Sequence, residues 1–318
     1  MSQKGVVIKM KISVAIATYN GASFITQQLE SIMNQTRQVD EVVICDDVSK
    51  DDTVKVVEEF IRENNLSDKW SVSVNSRNKG YASNFIGAAR KTKGDLILFC
   101  DQDDIWLPQR VSEIEKIMTE NPQIMLLGSE FKPFTSSDDA PEVPGWEMKQ
   151  MKNDGSLEKK DFCPQNVFIG CQGCTMCVRQ TFFRRVEPYW YEGWAHDEFV
   201  WKMALCLDGL YMYHAYTLKR RLHSNNVTMH KMRDVAKRTR FLEDLLKSHE
   251  ATLKFAQDIN LDDKKIKLLN RNIKATKKRI ELFKDRKILN TVPLALFYRD
   301  CYHKSRAILV ELYMVLKG

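Results

Sequence analysis

The chain has 318 residues, 43% apolar, 29% charged and 10% aromatic, with a formal net charge of +7. This composition excludes a disordered or collagen-like chain and supplies enough apolar side chains for a large core. No run approaches the ~18 apolar residues of a membrane-spanning helix, and residues 14–17 are too short for the apolar stretch of a secretory leader. The expectation is a cytoplasmic protein.

Residues 11–17 (KISVAIA) read as a buried strand ended by the turn signal Thr18-Tyr19-Asn20-Gly21. Residues 23–34 then place Ile25, Leu29, Ile32 and Met33 on one helical face. A second strand, 41–45 (EVVIC), stops at Asp46-Asp47. The stretch Ser49-Lys50-Asp51-Asp52 opens a helix that aligns Val54, Val57 and Ile61. Residues 70–74 form a third strand and 83–91 a helix. The fourth strand, 95–100 (DLILFC), runs directly into Asp101-Gln102-Asp103-Asp104. A helix over about 108–120 and a fifth strand, 123–128 (QIMLLG), complete the series. Such alternation specifies an α/β fold with a mostly parallel sheet, which binds ligands beyond the carboxyl ends of its strands. Three polar clusters stand at those ends.

Residues 132–165 carry Pro133, Pro141, Pro144 and Pro164 and read as a loop or flap. From about 232 the pattern is helical. Leu242, Leu245, Leu246, His249 and Leu253 form one stripe; Ile266, Leu269, Ile273, Ile280 and Phe283 form a second; an amphipathic segment covers 293–316. Residues 219–318 hold 25 basic and 11 acidic residues against 24 and 31 in residues 1–218. An acidic body with a basic tail calls for an anionic partner. No nucleic-acid motif accompanies the charge, which ranks nucleic acid below an anionic membrane surface or a second subunit.

The Asp101–Asp104 run crowds like charges that a cation would relieve, and hard carboxylate oxygens suit Mg²⁺ or Mn²⁺. An acidic loop capping the next helix is the plainer alternative. No Gly-rich phosphate cradle follows any strand, so phosphates would need that metal. Cys163, Cys171, Cys174 and Cys177 read as small buried residues rather than metal ligands, since neither a His nor a second Cys pair accompanies them.

The stretches VAIATYNGASFITQQLESIMNQT, EVVICDDVSKDDT and NKGYASNFIGAARKTKGDLILFCDQDDIWLPQRV resemble inverting glycosyltransferases of family two, which have the GT-A fold. FCDQDDIWLPQR resembles the bacterial rhamnosyltransferases in particular. The resemblance implies a GT-A domain over 1–230, its nucleotide-sugar half at about 11–130 and its acceptor half at about 131–230, followed by a basic helical region, 231–318. Residues 1–9 read as a dispensable extension. Ala17, Thr18 and Tyr19 would line the base pocket, although relatives often carry Pro or Thr in place of Ala17, and Asp47 would bond the base. Asp101 and Asp103 would hold Mn²⁺ or Mg²⁺, Asp103 most directly, with His223 reaching the metal or diphosphate. Asp197 would be the catalytic base, with His196 orienting it. Arg221 would bind substrate within the signature that runs through Asn225, Asn226 and Val227. Apart from the resemblance, Trp190, Trp194 and Trp201 carry two readings, stacking on sugar faces and, with at least equal weight, packing in the core or an interface. The implied partners are dTDP-L-rhamnose or a UDP-sugar, a lipid-linked glycan acceptor, an anionic membrane surface at its inner face and a possible second copy. A sugar-phosphate nucleotidyltransferase ranks lower, because Thr18-Tyr19-Asn20-Gly21 stands where that class usually carries Gly-Gly-x-Gly-x-Arg.

Overall fold

Continuous apolar runs become the buried centre of the sheet. β1 (Ile12–Thr18) and β2 (Glu41–Asp46) are joined by α1 (Ile25–Met33). The helix α2 (Thr53–Glu63) leads to β3 (Trp70–Val74), and α3 (Tyr81–Lys91) leads to β4 (Leu96–Cys100), every residue of which is buried. These strands pair in parallel in the order β3-β2-β1-β4, with Ala15 opposite both Val43 and Phe99. Parallel register sets the carboxyl ends of β1, β2 and β4 side by side. The computed structural model describes residues 9–135, 143, 145–148, 151–223, 234–304 and 306–317. The expectations for residues 1–8 and for Asn225, Asn226 and Val227 lie outside them.

Beyond β4 the sheet becomes mixed. A two-residue β5 (Ile105–Trp106) and α4 (Arg110–Glu120) precede β6, which covers Leu126–Thr135 rather than 123–128. It therefore continues through Pro133 into the stretch read as loop. A short helix α5 (Gly145–Met148), β7 (Leu157–Lys159), β8 (Cys177–Arg179) and α6 (Gln180–Val186) follow. Next come α7 (His196–Cys206) and the long β9 (Leu210–Leu222). Among the described residues the nine strands follow the order β3-β2-β1-β4-β8-β6-β9-β5, with β7 also on β9. β8 is antiparallel to both β4 and β6, whereas β6 and β9 are parallel.

The helices α8 (Val235–Asp258) and α9 (Asp263–Lys284) begin at Asp234 and Asp262, whose carboxylates accept the N–H groups of Lys237 and Lys264. Phe255, Ala256 and Leu269 join the main core beneath α7, so this pair is built into the sheet domain. The segment expected as one helix over 293–316 is two, α10 (Thr291–Phe297) and α11 (Ala307–Lys317). Between them Asp300 is held by Arg271, which fixes a turn where the helix would continue. Glu311, fully buried, ties α11 down between Arg238 and Arg279, each 2.6 Å away. No helix among the described residues is long and apolar enough to cross a membrane.

Candidate active site

Thr18, the last residue of β1, donates its hydroxyl to Asp46 Oδ2 (2.9 Å), and its carbonyl accepts the Asp47 N–H (2.9 Å). The next residue, Asp47, is buried. Its Oδ1 accepts from Asn75 Nδ2 (2.9 Å) and the Lys79 N–H (2.8 Å), and its Oδ2 accepts the Gly80 N–H (2.8 Å). A carboxylate has about four acceptor sites; three are filled by the 75–80 loop. Gly80 adopts φ +81°, a conformation that favours glycine, and thereby aims its N–H at Asp47. Asn84, buried in α3, donates to Cys45 O (2.7 Å) and Thr18 O (3.3 Å), so the helix locks both strand ends. Gln102 does the same between β1 and β4. Its amide accepts the Tyr19 N–H (2.9 Å) and donates to Tyr19 O (3.1 Å). Any side chain at position 21 would strike this amide, which explains Gly21.

All four residues of the acidic loop after β4 line one cavity, Asp104 being the most buried of them. That cavity, of about 570 Å³, is also lined by Ala17, Thr18, Tyr19, Asp47, His196, Asp197, Arg221 and His223. Burial and the neighbouring Asp103 charge push the Asp101 carboxyl up to about 7. Asp104 is buried; its Oδ1 accepts the Arg221 N–H (3.0 Å), while its Oδ2 has no partner among the described residues. Its carboxyl is pushed well up by burial and by Asp103 and Asp101. Crowded hard oxygens, one of them buried and unpartnered, fit a divalent cation. Asp101, Asp104 and Cys174 also offer ligand atoms within 4.8 Å of one another. Burial holds the Cys174 thiol protonated, so the oxygens are the better ligands. Among the described residues no group of three cysteines is close enough to bind a metal, and all eight cysteines of the chain are free thiols.

His223 enters this site through Asp103: its Nε2 lies 2.7 Å from Asp103 Oδ2, and its ring stacks on Phe24 at 5.1 Å. Arg221 lines the cavity and also holds the acidic loop. Its Nε donates to Asp103 O (2.8 Å), its Nη2 to Gln27 Oε1 (2.6 Å), and the guanidinium lies over Phe24 and Phe134. Those contacts make it a brace for the acidic loop.

The first turn of α7 lines the same cavity. Asp197 accepts the Glu198 N–H (2.8 Å), and desolvation raises its carboxyl to about 6. A helix N-terminus favours the anion by only about 0.3–1 kcal/mol at ordinary exposure. Desolvation wins. His196 stacks on Phe85 at 4.0 Å, and neither ring nitrogen has a partner among the described residues; burial lowers its pKa to about 3. It is a neutral ring that supports Asp197 by packing, without a hydrogen bond to it. Gly173 makes room for it, since a Cβ there would sit 2.6 Å from His196 Nε2.

The tryptophans turn away from the cavity. Trp194 and Trp201 are buried, donating to Glu198 Oε2 (3.2 Å) and Asn166 O (2.8 Å). Trp190 donates to Trp194 O (2.8 Å) beneath Arg90. Of the two readings of these rings, core packing is the one the burial of Trp194 and Trp201 fits, with both indole N–H groups satisfied inside the protein. Glu198 is neutralised by Lys202, 2.6 Å away, and Lys202 also donates to Ser248 on α8 (2.7 Å). Replacing Lys202 by Met is expected to cost about 3–5 kcal/mol in urea unfolding, because Glu198 is left desolvated without its partner. A loss below about 1 kcal/mol would mean that the pair behaves as a surface ion pair.

The cavity therefore gathers Ala17, Thr18, Tyr19, Asp47, Asp101, Asp103, His196, Asp197, Arg221 and His223, and leaves Trp194 out. Gln102 and Asp104, read from the sequence only as part of the acidic run, line it too, and the residue-by-residue reading missed Tyr81, Asn84, Phe85, Gly173 and Arg220. One of these carried a readable signal: Asn84 is a polar residue on the apolar face of a helix.

The pattern of the family "Glycosyl transferase family 2" matches residues 13–185. An uncharacterised glycosyltransferase of Haemophilus influenzae is 33% identical over 113 residues, 36% of each chain. The poly(ribitol-phosphate) β-N-acetylglucosaminyltransferase TarS of Staphylococcus aureus is 32% identical over 120 residues, 37% of this chain and 20% of TarS. The Escherichia coli β-1,3-glucosyltransferase WfaP, named for UDP-glucose and a GlcNAc-diphosphoundecaprenol acceptor, is 34% identical over 102 residues, 32% of this chain and 38% of WfaP. The chain thus spans about a third or less of the length of these relatives. In fold, residues 1–349 of TarS with UDP-GlcNAc superpose at TM-score 0.66 and 17% identity, over 97% of this chain and 91% of that one. A mannosyltransferase of Pyrobaculum calidifontis with GDP-mannose and Mn²⁺ superposes at 0.56 and 15%, over 97% and 85%. The fold is that of GT-A enzymes, and the chain belongs to glycosyl transferase family 2.

Proposed function

We propose that the protein is a metal-dependent inverting glycosyltransferase that moves L-rhamnose from dTDP-L-rhamnose to a hydroxyl of a lipid-linked glycan in cell-surface polysaccharide synthesis. The observation that carries this reading is one cavity lined both by a crowded acidic loop and by a desolvated carboxyl from a separate element, Asp197. Asp101 and Asp103, braced by His223 and Arg221, are the residues that would hold Mn²⁺ or Mg²⁺. The ion's contribution when bound is to offset the negative charge that develops on a departing nucleoside diphosphate. Asp197 accepts the acceptor hydroxyl's proton as the hydroxyl oxygen bonds to the anomeric carbon. The bond from that carbon to the diphosphate oxygen breaks in the same displacement, which inverts the configuration and leaves a proton on Asp197. Neutral His196 beside Asp197 adds no competing acid. The Gln102–Tyr19 and Asn84 ties hold the strand ends before any donor arrives, which limits the ordering cost of binding.

The rhamnose assignment rests on the FCDQDDIWLPQR stretch. A UDP-hexose or UDP-N-acetylhexosamine donor is the second reading, favoured by the names of WfaP and TarS. Thermal-shift titration with dTDP-rhamnose, UDP-glucose and UDP-GlcNAc, each with Mn²⁺ and Mg²⁺, separates the two. The expected result is metal-dependent stabilisation by dTDP-rhamnose at lower concentration than by either UDP-sugar. Stabilisation confined to a UDP-sugar would replace rhamnose.

A further inference from the structure

The C-terminal helices leave an unusual surface. Leu289, Leu296, Phe297, Leu309, Tyr313 and Leu316 are each 60–84% exposed, although α10 packs against α11. In α11 the exposed positions 309, 313 and 316 recur at helical spacing, opposite the buried Ile308, Glu311 and Val315. Large apolar groups concentrated in this way mark an interaction surface. Its charge is one-sided. The only acidic residues in 286–317 are Asp300, held by Arg271, and Glu311, buried between two arginines. Arg286, Arg299, Arg306 and Lys317 are exposed in the same segment, whereas Lys287 is paired with Glu281 and Asp285. A cavity of about 460 Å³ at this surface is lined by Leu296, Phe297 and Tyr302 together with Arg271, Arg299 and Asp300.

We infer that α10 and α11 form the docking face for an anionic lipid bilayer, the apolar side chains entering the headgroup boundary and the basic ones meeting lipid phosphates. The inference deepens the reading of a lipid-linked acceptor, yet it is measured without donor or acceptor.

The test is co-sedimentation of the full chain with phosphatidylcholine vesicles, with and without about one-third phosphatidylglycerol, at low and high salt. Binding is expected to need the anionic lipid and to fall as salt rises. The Arg299→Glu/Arg306→Glu double variant should bind at least about 20-fold more weakly, at roughly fivefold per basic residue. The Leu289→Ser/Leu296→Ser/Phe297→Ser variant should lose at least about tenfold, and its exposed sites leave the fold intact in circular-dichroism melts. The inactive Asp103→Ala variant should bind vesicles like the parent, which separates this inference from the transferase reading. Equal binding to neutral and anionic vesicles, or none to either, would overturn it. So would a vesicle-free dimer that the triple serine variant converts to monomer while no vesicle binding is seen; that result assigns the face to a second copy.

Discussion

Replacing Asp197 with asparagine is expected to lower kcat/KM for transfer by about 10²–10⁴-fold while nucleotide-sugar affinity stays unchanged. The side chain keeps its shape and its place at the start of α7, and only the proton acceptor is lost. The same group sets the pH dependence. With its carboxyl raised to about 6, Asp197 holds a proton below that pH, so transfer falls on the acid side with a midpoint near 6. The residual activity of Asp197→Asn should lack that limb. Stability should move the other way. A carboxyl raised by folding favours the native state fully below its unfolded value, 3.8, and that advantage is lost as pH rises through 6. At pH 8 the parent therefore carries a desolvated charge that asparagine does not. The variant should be more stable there by about 1–2 kcal/mol, a figure discounted for the residue's partial exposure, and indistinguishable at pH 4. Chemical denaturation at both pH values measures the difference. A variant less stable at pH 8 would sink the desolvation account.

The second large effect belongs to Asp103. Its conversion to alanine is expected to remove metal-dependent donor binding and to lower transfer by about 10³-fold. Calorimetric titration of Mn²⁺ in the presence of a nucleoside diphosphate gives the readout. The parent should show a metal requirement that the variant lacks. His223 supplies an internal comparison, because its Nε2 lies 2.7 Å from Asp103 Oδ2. His223→Ala should cost about 10–100-fold, the range for a group that orients a ligand rather than being the principal one. Equal losses at the two positions would show that the imidazole is itself a principal ligand.

The strands that carry the first three clusters were legible because buried parallel strands are continuous apolar runs, and each ran into a polar stop. What was hidden lies where pairing is long-range. β6 passes through Glu130, Lys132 and Pro133, and only its pairing with β9 makes a strand of that mixture. β9 itself ends in Lys219-Arg220-Arg221, which reads as a solvated tail. Yet Arg220 and Arg221 are buried over Phe131, Phe134 and Phe24, beside the acidic loop. A basic residue becomes a core residue only when aromatic faces and carboxylates surround it, and no local pattern reports that. The aromatic cluster near Asp197 misled for the converse reason. Trp194 is close in sequence to the cavity wall but faces inward, so nearness in sequence said little about which way the ring points.

The placement of β9 also decides what can be cut from this chain. The family pattern ends at residue 185, in α6, whereas β9 lies between β6 and the terminal strand β5, and α7 brings Asp197. A fragment ending there would leave β6 with a bare edge and β5 with no strand to pair with, and it would lose the α7 residues of the cavity. The strands β5 and β6 are thus completed only by chain that follows the family pattern, so a cut at its end removes a sheet partner and a cavity-lining turn together.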